Sequence, residues 1–539
     1  MDGAGVLVEE LERRGVRQVF GLPGDEVVLL AAMQRSTLDF VVVRHEQAAA
    51  FMADAYARVS RRASVCLSTL GPGATNLVTG IANAFLDRSP VIALSGQVGT
   101  NQLLKSVHQY VDLEALFRPI TKWSATVSDG RSIRDMLAHA FEVATTEREG
   151  PVHLSLPADV LADEVPAAAP AERAFSKGDH PAEVGCGADV EVFADLLQRS
   201  RAPLAIVGNL PIRVGASAEL VDLVEAYQVP VLTTYMGKGA IPEDHPLSLG
   251  VVSRHAGRQL DQVFAPADLV IALGFDYVEG VKPALWRVGK AKRTVYVDCA
   301  VERDPHLTPS DLRVTGDLRR LLREACLRRS DDLGSCWLDV GRVRAEIQRW
   351  INGKTAASNG AIGPPEAIAA IRQVADRSAI VVGDVGLNKY AVGLCFQARE
   401  PGTILFSNGL SAMGFSLPGA IGAQLARPDA QVISISGDGG FLMNVQELET
   451  AVRRELPVVA IVFRDDRLGL IGRLQEDRFG RRYAVDIGNP DLAMLARSFG
   501  AMGFRVTSLS ELPGALEAAL ACRRTAVVDV PICYDHWLR

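Results

Sequence analysis

Short apolar runs alternate with stretches of helical periodicity along nearly the whole chain, the pattern of parallel strands covered by helices on both faces. From Gln18 to Gly96 the runs QVFGLPG, FVVVRHE, CLSTLGPG and PVIALSG are separated by the helical segment EQAAAFMADAYARV and a second one reaching Asn83. This unit closes near PVHLSLPADV, Pro151 to Val160. PAAAPAERAFSKGDHPAEVGCG follows; rich in Pro, Ala and Gly and without apolar periodicity, it reads as a linker. A second unit, about Asp189 to Ala325, carries PLAIVGN, PVLTTY, LVIALGF and RTVYVDC with helices such as AELVDLVEAYQ between them. WLDVGRVRAEIQRWI predicts a connecting helix and NGKTAASNGAIGPP a loop. From about Pro365 the alternation resumes through AIVVGDVG, TILFSNG, QVISISGDGG, PVVAIVF and TAVVDVPI. The expected fold class is α/β, with three doubly wound parallel-sheet domains over 1–165, 189–330 and 361–539, joined by a linker at 166–188 and a linker helix and loop at 331–360. Ligands of such sheets bind beyond the carboxyl ends of the strands.

Composition narrows the function classes. A chain of 539 residues, 48% hydrophobic and 22% charged, suits several packed domains and not a disordered segment. The net charge of −7 comes from interspersed signs without a basic stripe, which argues against nucleic acid as a partner. MDGAGVLVEELERRG carries acids where a secretory signal would carry bases, and no apolar run reaches the roughly 18 residues of a membrane span, so a cytoplasmic location is expected. The eight cysteines lack any CxxC or His/Cys cluster and read as buried, reduced thiols. No GxGxxG follows a strand of the second unit, which places a nicotinamide oxidoreductase last among enzyme readings.

The most informative stretch is QVISIS-GDGG-FLMNVQELETAVRRELPVVAIVF-RDDR. A strand leads into a Gly-rich turn holding Asp438, a helix returns, and a second strand ends just before Asp465, 27 positions later (465 − 438). A right-handed crossover brings both acids to one sheet edge, where they can meet one cation. Hard oxygen ligands favour Mg²⁺, and the glycines let N–H groups approach a diphosphate at a helix N-terminus. Gly-Asp-Gly alone is also an ordinary turn; the flanking strands and the second acid are what raise it.

GDGG with an acidic residue at this spacing resembles the thiamine diphosphate motif of the acetolactate synthase and pyruvate decarboxylase superfamily. VFGLPG, RHEQAAAFMADAYAR, GPGATN, SVHQYVD, PITKW, GFDYVEGVKPALW, SNGLSAMGFSLPGAIGAQ and DVPICYD all look like acetolactate synthase segments, in order, across nearly the whole chain. The nearest match is the flavin-free, catabolic-type branch, with echoes of carboxyethylarginine synthase.

The resemblance implies a pyrimidine-binding first domain, a central domain and a diphosphate- and Mg²⁺-binding third domain. Asp438 and Asp465 would ligate Mg²⁺ through their side chains and Arg467 through its carbonyl; Arg464 stands where the family has Asn. Glu46 matches the glutamate that contacts the aminopyrimidine ring and assists removal of the thiazolium proton, although an acid in a first helical turn is also favoured by the helix dipole alone. Met413 matches the wedge between the two cofactor rings, with Ser411 contributing a carbonyl, although a Met elsewhere is simple core filler. Pro23, Gly24, Asn76, Gly386, Asn388, Gly437, Gly439, Gly440, Leu468, Gly469, Leu470 and Ile471 complete the implied cofactor contacts. His108 and Gln109 would meet the donor's carboxylate or carbonyl oxygen, a structural histidine being the alternative.

Departures from the family mark the substrate side. Asp25 stands where PGG is usual, and Leu474 replaces the Trp that favours larger acceptors in biosynthetic enzymes, so both are placed at the substrate pocket. The flavin-holding arginine of those enzymes is missing after GFDYVEG, and SRHAG is only a faint echo of a flavin-contact loop, so no bound FAD is expected. The expected reaction is decarboxylation of pyruvate or a related 2-oxo acid with carboligation to a second carbonyl. The alternatives are plain 2-oxo acid decarboxylation, an unusual acceptor in specialised metabolism, or a non-catalytic relative, against which the joint retention of Glu46, Asp438, Asp465 and Met413 speaks. Since Glu46 and the acid pair fall on different domains, the resemblance implies a homodimer or homotetramer with active sites at subunit interfaces.

Overall fold

The computed structural model describes residues 1–166, 187–253, 257–287, 289, 292–300, 310–330, 334–353, 362–535 and 537–538. Most of the expected linker, Cys186, the loop at 354–361 and the centre of SRHAG lie outside the described residues.

Three six-stranded, all-parallel sheets carry the fold. The first comprises β1 (Gln18–Gly21), β2 (Asp39–Val42), β3 (Ser64–Ser68), β4 (Val91–Gln97), β5 (Trp123–Thr126) and β6 (Val152–Pro157), in the order β2-β1-β3-β4-β6-β5. The second comprises β7 (Pro203–Val207), β8 (Val231–Thr233), β9 (Ser248–Val251), β10 (Leu269–Leu273), β11 (Arg293–Asp298) and β12 (Leu312–Thr315), ordered β12-β11-β10-β7-β8-β9. The third comprises β13 (Ile380–Gly383), β14 (Ile404–Phe406), β15 (Val432–Gly437), β16 (Val459–Arg464), β17 (Met502–Arg505) and β18 (Ala526–Pro531), ordered β14-β13-β15-β16-β18-β17. Counted from its own first strand, the third sheet repeats the order of the first, while the second has the 3-2-1-4-5-6 order of a dinucleotide-binding fold. The α/β expectation of three doubly wound parallel sheets is met.

Central strands such as β4, β7 and β10 are buried at every position, which is why they read as unbroken apolar runs. Edge strands β5 and β17 are only half-buried or exposed throughout and had no such signature. The expected turn at Asp438 is tighter than anticipated: β15 runs through Gly437 and a short helix, Asp438–Met443, begins on the acid itself.

By packing, the chain forms two compact units. One combines residues 1–180 with 410–429 and 442–458, so helices that come late in the chain cover the first sheet. The helix Glu46–Ser60 is set by His45, whose Nδ1 accepts the Gln47 N–H at 3.2 Å, and ends on Arg61 in the left-handed region at φ 56°. Its small buried residues Ala48, Ala49 and Ala55 allow close packing, and Phe51 meets Phe415 edge-on at 5.5 Å. The helix Glu447–Arg453 grips the chain leading to Glu46 at three points. Arg454 Nη1 donates to Asp39 at 3.0 Å, Arg453 Nη2 donates to the Val42 carbonyl at 2.5 Å, and Glu447 accepts the Arg44 N–H at 3.0 Å.

The other unit comprises 181–409, 430–441 and 459–539 and holds the second and third sheets. Here Lys238 Nζ donates to both Glu243 oxygens at 2.6 Å, and the same carboxylate accepts the Ala398 N–H at 2.6 Å. Both side chains are nearly fully buried, so the pair is stabilising only because its geometry and extra hydrogen bond offset desolvation. Among the described residues no helix is long and apolar enough to cross a membrane.

Candidate active site

β15 and β16 are parallel neighbours in register from Ile433 opposite Val459 to Gly437 opposite Phe463. Asp438 and Asp465 therefore emerge from the same edge of the third sheet, as the spacing predicts. Asp438 is buried; its Oδ2 accepts the Asp466 N–H at 2.8 Å and Asn489 Nδ2 at 2.7 Å, and its Oδ1 accepts the Gly439 N–H at 2.8 Å. Burial, followed by the Asp438 carboxylate, pushes Asp465 up to about 7, and burial likewise raises Asp438. Asp438 raises Asp465 and Asp466 raises Asp438, on top of desolvation, so the acids crowd a site short of positive charge.

The third expected ligand has the backbone geometry it needs. Arg467 forms an isolated antiparallel bridge with Asp486, flanked by hydrogen bonds from Leu468 N–H to the Val485 carbonyl and from Ile487 N–H to the Asp466 carbonyl. In such a pair Arg467's own carbonyl faces away from the bridge. Asp466 accommodates this turn in the left-handed region at φ 56°. Among the described residues no group of three His, Cys, Asp or Glu side chains could hold a metal. Two carboxylates and a carbonyl are a donor set that fits a hard cation which keeps water and phosphate oxygens as its other ligands. Arg464 is turned away from this set, donating from Nε to Asp529 at 2.9 Å.

Beside the acids, Gly440 lies so close to Asp384 that a Cβ there would come within 2.9 Å of its Oδ1. Asn388 is buried near Gly437, and among the described residues its Nδ2 has no hydrogen-bond partner. Gly386 caps the helix Leu387–Cys395 at φ 125°, a conformation that favours glycine. An orphaned amide donor beside a side-chain-free turn fits a phosphate oxygen. Leu468 caps the helix Gly469–Phe479, on which Leu470, Ile471 and Leu474 lie; Ile471 and Leu474 are about half exposed, at 47% and 49%.

The remaining expected residues gather in the other unit. Glu46 is buried and its Oε2 accepts Asn76 Nδ2 at 2.9 Å. Thr69 lies between this group and the Pro23–Gly24–Asp25 turn, its hydroxyl facing the Asp25 N–H at 3.4 Å. Asp25 and His108 are exposed, and Gln109 is held at φ 59° with its carbonyl against Gly71. Ser411, at φ 55°, and the half-buried Met413 lie in a loop pinned by Asn444 Nδ2, which donates to the Gly414 carbonyl at 2.9 Å.

Comparison with known proteins bears directly on this arrangement. Residues 1–116, 190–325 and 384–530 match, respectively, the thiamine pyrophosphate enzyme N-terminal TPP binding, central and C-terminal TPP binding domains. The probable acetolactate synthase large subunit of Methanocaldococcus jannaschii is 36% identical over 99% of this chain and 92% of its own length. The acetolactate synthase of Bacillus subtilis is 32% identical over 99% of this chain and 93% of its own length, and the acetolactate synthase isozyme 3 large subunit of Escherichia coli 31% over 99% and 95%. The chain belongs to the acetolactate synthase-like family of thiamine diphosphate enzymes.

Within this family member, three polar residues near the candidate site were invisible to sequence reasoning. Asn489 donates to both Asp438, at 2.7 Å, and Asp466, at 2.7 Å, and so fixes the acid's second oxygen. Asn444 and Glu447 brace the loops that carry Met413 and Glu46. Asn489 sits in DIGNPD, a stretch without periodicity, and only the tertiary return of the chain gives it a role.

Proposed function

We propose that this enzyme decarboxylates pyruvate and joins the retained two-carbon fragment to the carbonyl of a second 2-oxo acid, giving acetolactate and one CO₂ from two pyruvates. The observation that carries the reading is the Asp438–Asp465 pair, brought to one sheet edge and raised in pKa first of all by burial. Bound thiamine diphosphate supplies the carbanion that adds to the 2-oxo acid and accepts the electron pair released with CO₂. Asp438, Asp465 and the Arg467 carbonyl would hold Mg²⁺. Asn388 and the Gly386, Gly437, Gly439 and Gly440 backbone would hold the diphosphate, with the Leu468–Ile471 turn beside them. Glu46, oriented by Asn76, would protonate and deprotonate the pyrimidine ring, with Pro23, Gly24, Ser411 and Met413 shaping the slot. His108 and Gln109 would orient the donor, and Asp25 and Leu474 would set the acceptor.

The domain boundaries we favour are 1–165, 189–330 and 361–539. Because the Glu46 and Asp438 groups belong to different compact units, a homodimer or homotetramer that completes each site between subunits accounts best for both. A flavin-free central domain is supported by Glu279, whose buried carboxylate takes up the space between the β7 and β10 ends. Its Oε1 accepts the Asn209 N–H at 2.9 Å, Thr234 donates to Oε2, and a Cβ on Gly208 would fall 2.3 Å from the Gly274 carbonyl. Seven described cysteines are all free, which suits a reducing cytoplasm.

Mass spectrometry of products from pyruvate alone, and from pyruvate with added 2-oxo acids or aldehydes, tests the proposal. Acetolactate with half-stoichiometric CO₂ is expected; free acetaldehyde alone would favour a decarboxylase, and no consumption of any 2-oxo acid with saturating cofactor would sink the reading.

A further inference from the structure

A cavity of about 130 Å³ lies at the start of the helix Gly469–Phe479, lined by Asp465, Arg467, Gly469, Arg473, Arg482 and Tyr534. Tyr534 belongs to the segment that follows β18. Ile532 N–H donates to the Arg464 carbonyl at 3.0 Å, Cys533 N–H to the Ile362 carbonyl at 3.0 Å, and Arg473 Nη2 to the Tyr534 carbonyl at 2.8 Å. These bonds lock the C-terminal segment against the strand that delivers Asp465. Tyr534 is only 7% exposed, and among the described residues neither its hydroxyl nor Arg467 Nε has a hydrogen-bond partner, although both atoms are buried. A buried phenol without a partner is destabilising, so a ligand that accepts its hydrogen bond recovers that loss. Burial first, then the charges of Asp465 and Asp438, raise the Tyr534 pKa well above its ordinary range, which puts the hydroxyl within reach of the acid pair's field and keeps it a donor.

The cavity thus combines three guanidinium groups and the Tyr534 hydroxyl with two carboxylates, Asp465 and Asp535, and one of the three, Arg482, already pairs with Glu476 at 2.5 Å and lies 3.8 Å from Asp535. With Arg482 committed to acids, the donors left for a ligand are the partnerless Tyr534 hydroxyl and Arg467 Nε beside Asp465, a balance that suits an anion carrying its own divalent cation. We infer that this cavity takes the phosphate oxygens of the Mg²⁺-bound diphosphate, with Tyr534 of the C-terminal segment and Arg467 Nε as hydrogen-bond donors to them. The inference rests on the proposed thiamine diphosphate chemistry and extends it to residues that the Gly-rich motif does not contain. The C-terminal segment becomes part of the cofactor's anionic anchor.

Tyr534→Phe keeps the ring and its packing on Trp537, 6.1 Å away between centroids, and deletes only the hydroxyl. Titration calorimetry of the full chain, freed of cofactor, compares binding of Mg²⁺–pyrophosphate and Mg²⁺–thiamine diphosphate. Tyr534→Phe should weaken both by a similar factor of roughly 10–100, the range for hydrogen bonds to charged groups, while the melting temperature of the ligand-free protein stays the same or rises, since the partnerless hydroxyl is gone. Arg467→Met, which preserves the backbone carbonyl, should weaken both as well. Equal affinity of wild type and Tyr534→Phe for pyrophosphate would overturn the inference while leaving the proposed function standing, as would a loss confined to thiamine diphosphate, which would put Tyr534 at the rings. A wild type that binds thiamine diphosphate but not pyrophosphate would also overturn it, and one that binds neither would overturn the proposed function with it.

Discussion

Glu279 offers a quantitative check on how the central sheet is held. Its carboxyl is fully buried at the end of β10, and burial raises it from an ordinary 4.5 to about 7, against the opposing pull of hydrogen bonds from Thr234 and Asn209. The native state therefore holds the proton more tightly than the unfolded chain does. The stability contributed is complete below pH 4.5 and is lost as pH rises through 7. Integrating the two titrations, charging Glu279 costs the folded protein about 2–3 kcal/mol more at pH 8 than at pH 5. Glu279→Gln cannot charge, and its amide can face the Thr234 hydroxyl, which turns to accept, while its oxygen keeps the Asn209 N–H. Whatever constant offset the amide introduces, the variant should gain about 2–3 kcal/mol on wild type between pH 5 and pH 8. For a cooperative unit of this size that moves the difference in melting temperature by about 5 °C, at roughly 2 °C per kcal/mol. Scanning calorimetry of both proteins at pH 5, 6, 7 and 8 reads the difference directly, and other titrating groups cancel in it. A gap constant to within a degree across that range would refute the placement of a charged, desolvated carboxylate at this point.

Three further outcomes follow from the same geometry. Glu46→Gln should reduce 2-oxo acid consumption by more than about a hundredfold, as loss of a general acid–base group does, with Mg²⁺–thiamine diphosphate binding and melting temperature retained; an active variant would remove Glu46 from the chemistry. Lys238→Met strands the buried Glu243 charge and should cost about 3–5 kcal/mol in thermal or denaturant unfolding, whereas Lys238→Met with Glu243→Leu should recover most of it; equal losses in both would show that the ion pair is not the source. Asp465→Asn should melt higher than wild type at pH 8 in EDTA, because the raised wild-type carboxyl loses its stabilising proton as pH passes 7, yet should bind Mg²⁺ more than about tenfold more weakly; unchanged Mg²⁺ affinity would exclude Asp465 as a ligand.

Fold class was legible because a central parallel strand, covered on both faces, must be apolar at successive positions, as β4, β7 and β16 are. Edge strands β5, β12 and β17 lacked that constraint and escaped notice, and β9, though largely buried, is short and interrupted by Ser248 and Gly250. The acids at 438 and 465 were legible because a crossover between neighbouring strands fixes where they emerge, and strand pairing alone decides that. Asn489, Asn444, Glu447 and Tyr534 reach their places through long-range returns of the chain, and no local spacing encodes those. Nor does sequence order tell which sheet a helix covers: Ser416–Ala426 and Glu447–Arg453 come after β14, a third-sheet strand, yet pack in the unit built on the first.

Each sheet reverses its strand order once, between β1 and β3, β7 and β10, and β13 and β15, and each carries a buried acid in a connection beyond its strands, Glu26, Glu279 and Asp384. In open α/β sheets that reversal opens a crevice for ligands. In the central sheet Glu279 fills the crevice and is satisfied by the chain's own Thr234 and Asn209, so the opening is closed from within. In the third, Asp384 directly follows β13 and presses on Gly440, the glycine two residues past Asp438, shaping the turn that faces the acid pair. In the first, Glu26 is tucked so tightly against Gly96 that a Cβ there would strike its carboxyl at 2.0 Å. Burial pushes Glu26 up to about 7; Thr69 and the Leu70 N–H lie near and favour the charged form, but among the described residues its two oxygens make no hydrogen bond of good geometry. A carboxyl left unsatisfied in this way is costly, and the cost falls beside Thr69, within the cluster that contains Glu46. The acids of the central and third sheets are satisfied by their own chain, Asp384 accepting the Val385 N–H at 2.7 Å, whereas Glu26 of the first is not. An acid in want of donors beside Glu46 accords with the match of residues 1–116 to the thiamine pyrophosphate enzyme N-terminal TPP binding domain.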